Sequence, residues 1–207
     1  MKKWLYCRWT AKSGNWASDT LAALGSLMSG STRGRVDTVL TLNFDSILEL
    51  YLRLYGFVAQ SITTYPEILR RANVHIFHSH GYLPYDTRDG TDSSIFLDNQ
   101  TYLEAIGDAE NPQKRVMEYV FAQKLVLAIG LSGDDIYSRS VLAAWAKKQT
   151  NRAIMGFWVV GPDCADDRIE ELKESKLAAV RLPSYRQLPE FLFAISRNAA
   201  THAGIGP

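Results

Sequence analysis

The sequence predicts an α/β fold: a Rossmann-like, doubly wound and mostly parallel sheet. Three observations lead there. Five short segments are mostly apolar on both faces, continuous rather than alternating, which marks strands covered by helices on both sides. From the third segment onward, each strand is followed by a helix-forming stretch. Polar residues cluster where strands end, as expected if ligands bind beyond the carboxyl edge of a parallel sheet. With 207 residues and 46% hydrophobic composition, the chain can bury one sizeable core, so a single domain over 1–207 with its core in 18–198 is expected.

The strands are expected at "VDTVLTL" (36–42), "VHIFHSH" (74–80), "KLVLAIGL" (124–131), "IMGFWVVG" (154–161) and "AAVRLP" (178–183). Helices are expected at "SDTLAALGSLMS", with Ser18 or Asp19 as N-cap, and at "FDSILELYLRLYG", stopped by Gly56. Three more follow: "NPQKRVMEYVFAQ" with Pro112 in its first turn, "DDIYSRSVLAAWAKK" with acids first and lysines last, and "QLPEFLFAISRN". The segment 82–110, with Pro84, Gly90 and Gly107, reads as a loop or small lid over the crevice.

Lys and Arg total 23 against 22 Asp and Glu, a formal charge of +1, which argues against a broad nucleic-acid or membrane surface. The two cysteines, Cys7 and Cys164, cannot build a four-cysteine zinc site and suit a reducing cytosol. No apolar run reaches about 18 residues and the N-terminus lacks a signal-peptide core, so a cytoplasmic protein is expected.

Three strand ends carry chemistry: "TLNFD", "HSHG" and "GLSGDD". Taken alone, Asn43 is an ordinary turn residue bonding its own backbone, and Asp45 and Ser46 are ordinary N-caps. The functional reading is that the Asn43 amide, which donates and accepts, holds a sugar hydroxyl or a water. His75, His78 and His80 lie within six residues, yet on a strand His78 and His80 share one face while His75 points the other way, so at most two could ligate and no metal site is expected. His75 and His78 read as packed or hydrogen-bonded in the sheet. His80 stands at the strand end before Gly81, which permits close backbone approach to a ligand, and a strand-end imidazole suits a general base. Gly130, Ser132 and Gly133 would let main-chain N–H groups and a hydroxyl approach a ribose, whereas Asp134 and Asp135 would repel a diphosphate.

In order, "VLTLNFDSILE", "IFHSHGYLP", "SSIFLDNQTYLEAI", "KLVLAIGLSGDDIYSRSVL" and "AAVRLPSYRQLPEFLF" resemble successive blocks of the SIR2-like family, in particular its divergent bacterial members used in antiphage defence. The resemblance implies an NAD+ glycohydrolase, with NAD+ as substrate and no metal. It implies that Asn43 and His80 are catalytic, placing the ribose or attacking water and acting as base. It implies that Asp45, Gly81, Gly130 and Ser132 contact the dinucleotide, and that the protein works as an oligomer or with a partner defence protein.

Two departures accompany the resemblance. The zinc module of protein-deacylating relatives cannot be built from two cysteines, so deacylation is not expected. The Gly-rich phosphate loop that opens the family fold has no counterpart before Asn43, which leaves three options: part of a longer protein, a reduced member, or a fold completed by a partner chain. The alternative function is a non-catalytic NAD+- or ADP-ribose-binding or assembly module.

Overall fold

The computed structural model describes residues 19–29, 36–63, 71–86, 95, 112–131, 146 and 153–203. Most of the expected helix at 134–148 and most of the 82–110 segment lie outside the described residues, as does Ser132. The fold is α/β, with all described strand pairs parallel. The chain divides into two compact units, one formed by Met1–Tyr102 with Leu188–Pro207 and the other by Leu103–Gln187.

The first unit runs through α1 (Asp19–Met28), β1 (Thr38–Thr41), α2 (Ile47–Leu54), β2 (Ala59–Ile62) and β3 (Val74–His78). Its sheet has the order β1-β3-β2. The central strand is β3, in which Val74, Ile76, Phe77 and His78 are all buried, and this two-sided burial accounts for apolar residues on both of its faces. Met28, Leu52, Val74 and Ile76 form the core, with Val39, Leu48 and Phe57 packed against it. At Gly25 a Cβ would stand only 2.8 Å from Tyr51 Cε1, so α1 approaches α2 through the missing side chain. The final helix of the chain, here α5 (Leu188–Ala203), returns to this unit, where Ser196 Oγ donates to the Ser26 carbonyl at 2.9 Å.

The second unit contains α3 (Pro112–Gln123), β4 (Val126–Ala128), β5 (Gly156–Val160), α4 (Asp166–Glu174) and β6 (Leu177–Arg181), ordered β4-β5-β6 in its sheet. A short 3-10 turn, Tyr185–Gln187, closes it. Met155, Trp158, Leu172 and Leu177 are buried here.

One element goes beyond the sequence reading, and a second, the helix expected after β5, receives its position. β2 is only "AQSI", with two polar residues of four, so it carries no apolar run; its pairing with β3 makes it a strand. α4 is "DDRIEELKE", which buries Leu172 alone and so shows little apolar periodicity. The histidine strand also ends earlier than expected, at His78. Ser79 and His80 form a turn, so the face-sharing argument for His78 and His80 does not apply.

Candidate functional site

β1 and β3 pair in parallel with Thr41 opposite His78. Asn43 and His80 therefore stand equally far beyond the last paired residues, on neighbouring strand ends. The ladder carries on past the strands: Ser79 N donates to the Thr41 carbonyl at 3.1 Å, and Leu83 N to the Phe44 carbonyl at 2.6 Å. Asp45 and Leu83 form a further parallel bridge. The chain leaving β3 is thus laid along the chain leaving β1.

Within this strand end, Asn43 is exposed and Gly81 buried. The backbone N–H of Asn43 donates to Thr41 Oγ1 at 3.1 Å, a local turn bond at an exposed residue. Asp45 Oδ1 accepts from Ile47 N at 3.0 Å and so satisfies an open donor at the start of α2. Ser46, expected as an N-cap, makes no side-chain cap. Its buried hydroxyl instead accepts from Tyr85 N at 2.9 Å, tying the segment after Gly81 to the start of α2. Gly81 has φ of 97°, a left-handed conformation in which a Cβ would be strained.

Beneath the two strand ends lies a buried polar circuit that the sequence reading missed in part. His78 and Glu49 are 1% and 3% exposed, and His78 Nε2 lies 2.6 Å from Glu49 Oε1. His78 Nδ1 lies 3.0 Å from the Asn43 carbonyl. A carbonyl only accepts, so Nδ1 carries a proton and donates it, and the imidazole meets the carboxylate through its other nitrogen. Ser61 Oγ lies 2.9 Å from Glu49 Oε1 and 3.1 Å from the Tyr82 hydroxyl. With one proton to give, Ser61 donates to the carboxylate and accepts from Tyr82. The Tyr82 ring, fully buried, completes the circuit by packing on the His78 ring at 4.3 Å between centroids. The expectation that His78 is hydrogen-bonded inside the sheet holds. The clue to Glu49 in the sequence is a single acid placed three residues before core residue Leu52, on the inward side of α2.

The second unit has its own cleft, of about 610 Å³, at the carboxyl ends of β4 and β5. Gly130, Trp158, Gly161, Asp167, Arg168 and Tyr185 are among the residues that line it. Gly130 is left-handed with φ of 68°, and a Cβ there would meet open space. The Arg168 guanidinium lies 5.7 Å from the centre of the buried Trp158 ring and pairs with Glu171, a cation–π arrangement that holds a positive group at the cleft wall. Of the six expected site residues, Asn43, Asp45, His80 and Gly81 come together at one strand edge of the first unit. Gly130 belongs to the cleft of the second.

Among the described residues no group of three or more His, Cys, Asp or Glu side chains could hold a metal ion, and no helix is long and apolar enough to cross a membrane. No curated protein matches the chain. A family model described as the SIR2-like domain matches residues 37–180, from the start of the β1 segment into β6. SIR2-like domains bind NAD+ and are typically NAD-consuming. The match covers the strand ends that carry Asn43, His80 and Gly130, and the chain belongs to the SIR2-like family.

Proposed function

We propose that the protein is an NAD+ glycohydrolase, which cleaves the nicotinamide–ribose bond of NAD+ with water to give nicotinamide, ADP-ribose and a proton. The observation that carries the reading is the strand-end pair: an exposed amide at Asn43 and an imidazole at His80, set at equal offsets on adjacent parallel strands. The chemistry fits these side chains. The bond-breaking transition state is positively charged at the ribose, and water must be held on one face and relieved of a proton. The Asn43 amide holds a ribose hydroxyl or the water through its donor and acceptor. His80 takes the proton. Left-handed backbone at Gly81 and, separately, at Gly130 permits close approach of a ligand to each, and Asp45 shapes the pocket from its position just before the N-cap of α2.

The resemblance to divergent bacterial defence proteins extends the proposal. NAD+ loss would be the output of an antiphage response, delivered by an oligomer or with a partner protein.

The test is nicotinamide release from NAD+, followed by chromatography, for the parent protein and for Asn43→Ala and His80→Ala. Each variant is expected to lose about 10²–10⁴ in rate with unchanged circular dichroism. Full activity in both variants would refute the site. Binding of NAD+ or ADP-ribose by a parent that releases no nicotinamide would favour the non-catalytic binding module.

A further inference from the structure

We propose that the buried circuit of Glu49, His78, Ser61 and Tyr82 is a clamp that places Asn43 and His80, with Glu49 and His78 as its positioning residues. The inference rests on the reading of those two residues as the reacting pair. Three observations support it.

The first is where the circuit attaches. His78 Nδ1 donates to the carbonyl of Asn43 itself, so the residue whose side chain points outward is held by its backbone from below. Rotation of that peptide would swing the Asn43 amide away from its neighbours.

The second is what the circuit encloses. His78 and Tyr82 flank the turn that carries Ser79, His80 and Gly81, and their rings touch at 4.3 Å. The turn is pinched at its base. Its width is set by that ring contact together with the Ser61 hydroxyl, which ties Tyr82 to Glu49. One circuit on α2, β2 and β3 therefore holds both strand ends.

The third is that stability explains the circuit poorly. A buried acid–imidazole pair gives little net stability over apolar residues of similar volume, because both groups must leave water. Here the carboxylate is also incompletely used, since Glu49 Oε2 is buried with no hydrogen-bond partner among the described residues. An apolar core would avoid that penalty. Directional bonds to the Asn43 carbonyl and to Ser61 are what apolar residues would lack.

The experiment uses the full chain and three proteins: the parent, the apolar double variant Glu49→Leu/His78→Phe, and His78→Asn, whose amide replaces the donor to the Asn43 carbonyl. Amide hydrogen–deuterium exchange is read at residues 42–46 and 79–82, and nicotinamide release gives kcat and KM for NAD+. In the double variant, exchange at both segments is expected to rise about tenfold or more over the rest of the first unit. Its kcat should fall about 10²-fold with KM near the parent value, as for a misplaced rather than a missing contact. His78→Asn should recover part of the lost kcat and slow exchange at 42–46. Unchanged exchange in both segments, or faster exchange with parental kcat, overturns the clamp. If the double variant does not fold, His78→Asn decides: parental exchange at 79–82, where the contact with Glu49 is lost, overturns the proposal. A parent that releases no nicotinamide overturns the hydrolase reading, and the exchange data then judge the clamp alone.

Discussion

Gly156→Ala should separate two strands of the second unit. Gly156 opens β5 and pairs with Val126 on β4. A Cβ on it would stand 2.2 Å from the Val126 carbonyl oxygen, and 2.8 Å from both the carbonyl carbon and the Cβ of Val126. The obstacle is backbone, not the flexible end of a side chain, so relief requires β4 to move. Overpacking of this kind costs about 1–3 kcal/mol. The displacement also strains the bond from Val126 N to the Met155 carbonyl, 3.0 Å long, adding about 0.5–1.5 kcal/mol. Alanine returns about 0.4–1 kcal/mol by narrowing the unfolded ensemble. At mid-range the net loss is about 2 kcal/mol, a factor of roughly 30 in the folding equilibrium.

Urea unfolding followed by circular dichroism and tryptophan emission measures it. Gly161→Ala is the matched control, because its Cβ would meet the Tyr185 hydroxyl at 2.2 Å, and Tyr185 is 63% exposed. That ring can swing aside, so the control should lose less than about 1 kcal/mol. Equal midpoints for the two variants would refute the reasoning from strand contact.

Three further outcomes are expected. Glu49→Leu alone should cost about 1–3 kcal/mol, because it leaves His78 Nε2 buried without its partner; urea midpoints should place it below the Glu49→Leu/His78→Phe double variant. Gly81→Ala should cost about 1–3 kcal/mol through its left-handed backbone, φ 97°, and should lower nicotinamide release, which a rate measurement beside the unfolding curve would check. Burial, followed by hydrogen bonding with Tyr55 and its charge, pushes the Tyr51 phenol up to about 12. Since the folded value is the raised one, the resulting stability is complete below about pH 10 and is lost as pH climbs towards 12. Tyr51→Phe should remove that alkaline loss, seen as a smaller midpoint shift than the parent shows between about pH 9 and pH 11.

The sequence revealed strands through continuous apolar runs, which arise only where both faces are covered. β3 and β5 were legible for that reason. β2 was not, because its place follows from pairing with β3 rather than from its own side chains. α4 was expected after β5 but could not be bounded, because one buried leucine produces no periodicity. At the site, Asn43, His80 and Gly81 were legible as polar or glycine residues in places where an apolar strand had no need of them. Glu49 was harder to see. Its meaning depends on His78 twenty-nine residues away, and no local pattern links the two. Ser46 shows the opposite error: its position looked like a cap, but Tyr85 offered its hydroxyl a better-placed donor.

The parallel pairing of Thr41 with His78 has a consequence for how such a protein can change. The number of residues between the two strands does not set the distance from Asn43 to His80. Only the count beyond the last rung on each side does. Loops and helices in between are free to lengthen or shrink over evolution, while a single insertion after Thr41 or after His78 would set the two side chains out of step. What a lineage must preserve is an offset, not a spacing.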